Sequence, residues 1–233
     1  MTNFELLKQR DDNYIIHSYG RFPIAIDHGK NATCYDLDGR KYIDFTSGIG
    51  VNSLGFCDDG WVSAVCAQLG RLQHVSNLYY SSPCVEVAEM LVRMTGMKKV
   101  FFSNSGAESN EGAIKAARKY SFTKYGENRN RIITLKNSFH GRTITTLAAT
   151  GQDVFHNYYF PFTEGFVYAE ANNLEDVKSK LDSSVCAVII ELIQGEGGVL
   201  PLDKGFVTEL SRLCAEKDVL LIVDEVQTGV GRT

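Results

Sequence analysis

VLLIVDEVQTGVGRT, residues 219–233, places five consecutive apolar residues before two carboxylates, Asp224 and Glu225, and a glycine-rich run. A stretch that is apolar at every position, rather than at every second one, describes a strand covered on both faces, as in the interior of a parallel sheet. CAVIIEL (186–192) repeats the pattern and also ends on an acid, Glu191. Between the two lies a helical stripe of Phe206, Leu210, Leu213 and Cys214. Strand, helix, strand is a crossover unit, which joins parallel neighbours and lays a helix on the sheet.

Working outward, the same alternation continues upstream. KKVFF (98–102) is predicted as a strand, followed by a helix with Ala113, Ile114, Ala117 and Tyr120 facing inward. RIITL (131–135) is predicted as the next strand, then a helical TITTLAA, a short strand in GFVYAE, and a helix carrying Leu174, Val177 and Leu181. Earlier still, Ser82-Pro83 opens a helix with Cys84, Val87, Ala88 and Leu91 on one stripe, and Trp61, Val65, Leu69 and Leu72 mark another. Before a Gly-rich stretch at 46–55, Thr33, Tyr35 and Leu37 alternate up to Asp38-Gly39, and Lys41, Ile43 and Phe45 alternate after it. Asp-Gly between alternating runs signals a hairpin. The fold class is therefore α/β, a mainly parallel sheet with helices on both faces, preceded by a segment with a β-hairpin.

Bulk properties narrow the function classes. The 233 residues are 44% hydrophobic and 22% charged, the composition of an ordinary globular protein. A net charge of −4 offers no basic footprint for nucleic acid or an anionic membrane surface. No apolar run approaches the ~20 residues that a membrane helix needs. The start, MTNFELLKQRDD, lacks the basic-then-apolar pattern of a secretory signal. Six cysteines stand at 34, 57, 66, 84, 186 and 214, never as C-x-x-C. They read as free thiols in a reducing cytoplasm, packed as small buried hydrophobes, with no metal site.

Parallel sheets bind ligands beyond the carboxyl ends of their strands. After KKVFF, Ser105, Gly106 and Ala107 start a helix, whose free amides suit a phosphate; Ser105 reads equally as a plain N-cap. After RIITL, Phe139 and His140 form a ring pair on a turn, and Arg142 offers a planar fork for a carboxylate. After CAVIIEL come Glu191, at the sheet end, and Glu196, in a Gly-rich loop, either of which also reads as a surface charge. After VLLIV comes Asp224. A Walker-B role would need a G-x-x-x-x-G-K-[ST] loop, which the chain lacks. The remaining readings of Asp224 are a capped turn or structural ion pair, and a partner for a protonated ring nitrogen. Phosphate, aromatic ring, ring nitrogen and substrate carboxylate together match pyridoxal 5′-phosphate with an amino acid.

YGRFPIAI, VSNLYYSSP, FFSNSGAESNEGAIKAARKY, NSFHGRT, IQGEGG and LLIVDEVQTGVGRT resemble, in order, the motifs of the class III pyridoxal-phosphate aminotransferases, most of all the acetylornithine type. The resemblance implies the fold-type I architecture, with residues 1–55 part of a small domain and 56–233 the first part of the cofactor-binding large domain. It implies that Ser105, Gly106 and Ala107 hold the cofactor phosphate and that Phe139 stacks on the ring, with His140 beside it. It further implies that Asp224 pairs with N1, that Val226 packs on the opposite face, and that Glu225 and Gln227 complete the cofactor contacts. Arg142 is expected to hold the substrate carboxylate, Glu196 to gate a second arginine, and Tyr80 to stand near the entrance. The implied reaction moves the δ-amino group of N2-acetylornithine to 2-oxoglutarate by a ping-pong mechanism in arginine biosynthesis, in a cytoplasmic homodimer with shared sites.

The family's catalytic lysine, which binds the cofactor and moves the substrate proton, is expected beyond Thr233. None of the lysines present, Lys136 included, stands at its position, so the chain is expected to be an inactive N-terminal portion with an incomplete large domain. GFCDDGW (55–61) replaces the family's Gly-His-x-His-Pro run, Gly112 stands where alanine is common, and Glu191-Leu192 lacks the customary proline. The alternatives are another ω-aminotransferase, for ornithine, succinylornithine or 4-aminobutyrate, and a non-catalytic cofactor-binding or partner protein.

Overall fold

A computed structural model describes residues 1–233, which divide into two compact units, Met1–Val85 and Glu86–Thr233. In the first unit, helix α1 (Asn3–Tyr14) starts from a capping box in which Thr2 and Glu5 satisfy each other's backbone amides. Strands β1 (Ile26–Lys30), β2 (Thr33–Asp36) and β3 (Lys41–Ile43) form an antiparallel sheet in that order. The turn between β2 and β3 is the expected one, with Gly39 at φ 77°. The Asp36 carboxylate braces it, accepting from the amides of Asp38 and Arg40 and the hydroxyl of Tyr42. Helix α2 (Asp59–Leu69) is N-capped by Asp58, but neither it nor α3 (Ser82–Thr95), most of which belongs to the second unit, buries a residue. The apolar stripe of Trp61, Val65 and Leu69 is present and exposed.

The second unit contains α4 (Gly106–Tyr125), β4 (Arg131–Leu135), α5 (Ile144–Ala149), β5 (Phe166–Ala169), α6 (Leu174–Lys180) and β6 (Val185–Ile190), followed by α7 (Lys204–Glu216) and β9 (Leu220–Val223). A two-stranded antiparallel ribbon, β7 (Ile193–Gln194) with β8 (Leu200–Pro201), projects between β6 and α7. The main sheet has the order β5-β4-β6-β9, and every neighbouring pair is parallel. All six residues of β6 are buried, as its unbroken apolar run requires. Alternate residues serve two cores. Ile133, Leu135, Val188 and Ile190 pack with Val177 of α6 and with Phe206 and Leu210 of α7. Ile132, Ala187 and Ile189 pack with Ile114 and Ala117 of α4 and Ala149 of α5. Full burial of each such Ile or Leu contributes about 1.5–3 kcal/mol before the entropy of ordering is set against it.

The structure corrects four sequence readings. KKVFF (98–102) forms no strand: no other strand lies alongside it, so its apolar pattern has no ladder to join, and Phe101 and Phe102 are exposed. Helix α4 buries Asn110, Ile114, Ala117 and Ser121, whereas Tyr120 is exposed; two polar residues on the inner stripe rotate it away from the purely apolar reading. Of the cysteines, all free thiols, Cys34, Cys186 and Cys214 are buried, but Cys57, Cys66 and Cys84 are exposed on elements with little core of their own. Glu191 is a buried group and not a surface charge.

Candidate active site at the carboxyl ends of the sheet

The register of β6 and β9 pairs Ile190 with Val223, so the next residues, Glu191 and Asp224, leave the sheet side by side. The Asp224 amide closes this end of the ladder on Ile190 O at 2.7 Å. The Asp224 side chain is 4% exposed, and both its oxygens are engaged. Its Oδ2 accepts from Asn110 Nδ2 and meets His140 Nδ1, each at 2.8 Å, and its Oδ1 accepts from the Val226 amide at 3.0 Å. Burial alone would raise this carboxyl, but the hydrogen bond and charge of His140, with Val226 and Asn110, outweigh it and hold Asp224 below the ordinary value. An ionised carboxylate only accepts, so His140 donates through Nδ1. That leaves His140 Nε2 as the buried side-chain atom without a partner.

The first turn of α4 faces the same place. Ser105 is the N-cap, its hydroxyl accepting from the Glu108 amide at 3.2 Å, and the Glu108 carboxylate turns back to the Asn104 amide. The amides of Gly106 and Ala107 are first-turn donors for which the helix itself has no acceptor. Gly106 is needed for close approach: a Cβ there would lie 2.6 Å from Cγ1 of Val226. Gly195 does the same for the Gly-rich loop, since a Cβ would fall 1.5 Å from Gln227 Oε1. These contacts bring the starts of α4, the 224–227 turn and the 195–198 loop together.

The turn after β4 completes the group. The His140 amide donates to Thr150 Oγ1 at 3.0 Å, and His140 O accepts from Asn110 Nδ2 at 2.8 Å. The Phe139 amide donates to Glu191 Oε2 at 2.9 Å. Burial pushes Glu191 up to about 7, opposed in part by that amide and by His140 and reinforced by the Asp224 charge. Two neighbouring carboxyls are thereby driven apart, one held below the ordinary value and one raised to about 7. The Phe139 ring is half-buried and meets Phe155 edge-on at 5.7 Å; the Arg142 guanidinium lies over both rings, at 5.9 and 5.8 Å. Thr143 Oγ1 donates to Glu111 Oε1 at 2.6 Å, tying the end of the turn to α4.

The structure thus brings together Ser105, Gly106, Ala107, Phe139, His140, Asp224, Val226 and Gln227, which the sequence singles out. Glu225 and Arg142 are exposed at its rim, and Glu196 is exposed in the loop between β7 and β8. Tyr80 belongs to the first unit and is fully exposed. Lys136 is an exposed ion-pair partner of Glu170. Sequence reasoning missed Asn110, which bonds both to Asp224 and to the His140 turn, although its spacing of four from Ile114 places it on the buried stripe. It also missed Thr150, the acceptor for the His140 amide.

The family model for aminotransferase class-III matches residues 14–233. The chain belongs to the class III aminotransferases. Among class III relatives, the acetylornithine aminotransferase of Haemophilus ducreyi is 56% identical over 228 residues, 97% of this chain and 58% of that protein. The crystal structure of ornithine aminotransferase from Toxoplasma gondii matches 98% of this chain with a TM-score of 0.93 at 32% identity, and 55% of that chain is covered. N-acetylornithine aminotransferase from Stenotrophomonas maltophilia matches 97% with a TM-score of 0.80 at 35% identity, again over 55% of its length. The chain therefore spans little more than half the length of these relatives. Class III aminotransferases are pyridoxal-phosphate enzymes of fold type I, and the residues here fit that group. A buried carboxylate suits a pyridinium nitrogen, first-turn amides suit a phosphate, and Val226 and Phe139 supply apolar faces.

Proposed function

We propose that these residues form the cofactor-ring portion of an acetylornithine-type aminotransferase, which moves the δ-amino group of N2-acetylornithine to 2-oxoglutarate. The observation that carries the reading is Asp224: an ionised, buried carboxylate at a strand end, braced by Asn110 and His140 and adjoining a helix N-terminus through Val226. Pyridoxal phosphate, when bound, supplies an electron sink that lets an amino group leave one carbon and join another. The chain's own residues do the rest of what falls to them. Asp224 holds the proton on the ring nitrogen by charge, and His140 keeps Asp224 oriented and ionised. Ser105, Gly106 and Ala107 grip the phosphate, Phe139 and Val226 confine the ring, and Glu225 and Gln227 reach its polar edge. Arg142 binds the substrate α-carboxylate. Glu196, in the Gly-rich loop, accommodates substrates of two lengths. In this reading the enzyme works as a cytoplasmic homodimer with shared sites, on amino-acid and 2-oxo-acid substrates.

Sequence identity favours acetylornithine as the amino donor, and the higher shape match to the Toxoplasma gondii enzyme favours ornithine. A competition assay decides between them. Protein from its native source, given pyridoxal phosphate and 2-oxoglutarate, is expected to form glutamate faster from N2-acetylornithine than from ornithine, succinylornithine or 4-aminobutyrate. Saturable cofactor binding without turnover of any donor would overturn the catalytic reading and leave a binding role.

A further inference from the structure

Two acids stand at adjacent strand ends, and the function proposed above uses only one. Glu191 continues the register of β6 as Asp224 continues that of β9, so in a parallel pair they project to the same side. Glu191 is 6% exposed, a setting that carboxyl groups seldom occupy unless paired. Its Oε2 receives the Phe139 amide at 2.9 Å, across 52 residues of sequence. The next amide, that of His140, goes to Thr150, and the carbonyl of His140 goes to Asn110. The backbone of the Phe139–His140 turn is therefore held by Glu191, Thr150 and Asn110, of which Glu191 alone can titrate, while the imidazole is held by Asp224.

We propose that Glu191 is a positioning residue: it seats the turn so that the Phe139 ring and the imidazole serving Asp224 are set together. Its meaning for catalysis rests on the cofactor reading, whereas the contact itself does not. The charged groups facing Glu191 are His140, from the turn after β4, and Asp224, from the end of β9; the first favours its ionisation and the second opposes it. Burial outweighs the bonds that favour the charged form, so ionisation of Glu191 near neutral pH loosens its hold on the turn.

The test is amide hydrogen exchange on the purified protein without cofactor, each rate expressed as protection relative to a free peptide at the same pH. In the wild type, protection at Phe139 is expected to fall between about pH 5 and pH 7, as the buried carboxyl ionises. Glu191→Leu is expected to lower it by about tenfold, the equivalent of one hydrogen bond, with Ile133 and Val188 unchanged. Glu191→Gln, whose amide oxygen still accepts, is expected to keep most of the protection and lose its pH dependence. Unaltered Phe139 protection in Glu191→Leu, a flat pH profile in the wild type, or equal losses throughout β4 and β6 in both variants would overturn the proposal. Pyridoxal phosphate titration followed by absorbance is the second readout. Weaker binding in Glu191→Leu than in Glu191→Gln supports the positioning role, and equal binding in the wild type and Glu191→Leu overturns it. A wild type that binds no cofactor instead defeats the cofactor reading, and with it the catalytic meaning of Glu191, even where the exchange pattern is as expected.

Discussion

Replacing Asp224 by asparagine changes one oxygen to a nitrogen and removes the charge on which the site is built. The carboxylate now accepts from Asn110 and His140 through Oδ2 and from the Val226 amide through Oδ1. An amide group must present its NH2 on one side. Placed at Oδ2 it opposes the Asn110 donor, and placed at Oδ1 it opposes the Val226 amide. A buried donor left facing a donor costs about 1–3 kcal/mol, and the remaining bonds fall from charge-assisted to neutral strength. Relief of the buried charge offsets part of this, which leaves a net loss of about 2 kcal/mol. Urea unfolding at pH 7 reads it directly: with a slope of about 2 kcal/mol/M the midpoint falls by about 1 M. The sign of the pH dependence gives a second check. The folded-state pKa of Asp224 is depressed, so its contribution is present above the ordinary carboxyl value and is lost as pH falls through the folded one. The gap between wild type and Asp224→Asn should therefore close in acid. A double-mutant cycle with Asn110→Ala should show a coupling of about 1 kcal/mol. If Asp224→Asn is as stable as the wild type at pH 7, the buried charge costs as much as its hydrogen bonds return, and the claim that the fold holds Asp224 ionised fails.

Glu191 carries the opposite sign. Its folded pKa is raised to about 7, so its contribution is full below pH 4.5 and is lost as pH rises through 7. Glu191→Gln, a mimic of the neutral acid, should outlast the wild type in thermal melts at pH 8 by up to about 3 kcal/mol, and the advantage should vanish near pH 4. Gly106→Ala forces a methyl against Val226 and should cost about 1–3 kcal/mol with weaker cofactor binding; adding Val226→Ala should recover stability. Leu210→Ala, at a fully buried position of α7, should destabilise by about 2–5 kcal/mol in the same melts, without altering cofactor affinity beyond the loss of folded protein.

The parts of this fold that were legible in the sequence are those whose environment is repeated along the chain. β6 is apolar at each position because two helical layers cover it, whereas β9, equally apolar, is a half-buried edge strand, and α7 shows its buried face through Phe206, Leu210 and Cys214. The Asp38-Gly39 turn was legible because a local backbone conformation selects it. What escaped depends on a distant partner. KKVFF has a strand composition, but a strand is a pairing, and no local pattern reports whether a neighbour arrives. Asn110 and Ser121 are polar residues on an inner face, acceptable there only because His140, Asp224 and the Arg129 carbonyl lie opposite. Glu191 read as a surface charge for the same reason: its burial is conferred by the turn at Phe139, far away in sequence. In the site, Asp224, the phosphate turn and the aromatic ring were legible as chemistry, while the groups that brace them were not.

The bracing of Asp224 has a consequence for how the molecule is made. Asn110 and His140 lie 114 and 84 residues before it. During synthesis both emerge well before the carboxylate they serve, and at ordinary elongation rates of about 5–20 residues per second the interval is many seconds. Throughout that time the imidazole and the Asn110 amide are donors without their acceptor, and β6 lacks the neighbour that β9 provides. The ring site is thus a late, non-local event in the life of the chain, closed only when β9 has joined the sheet beside β6.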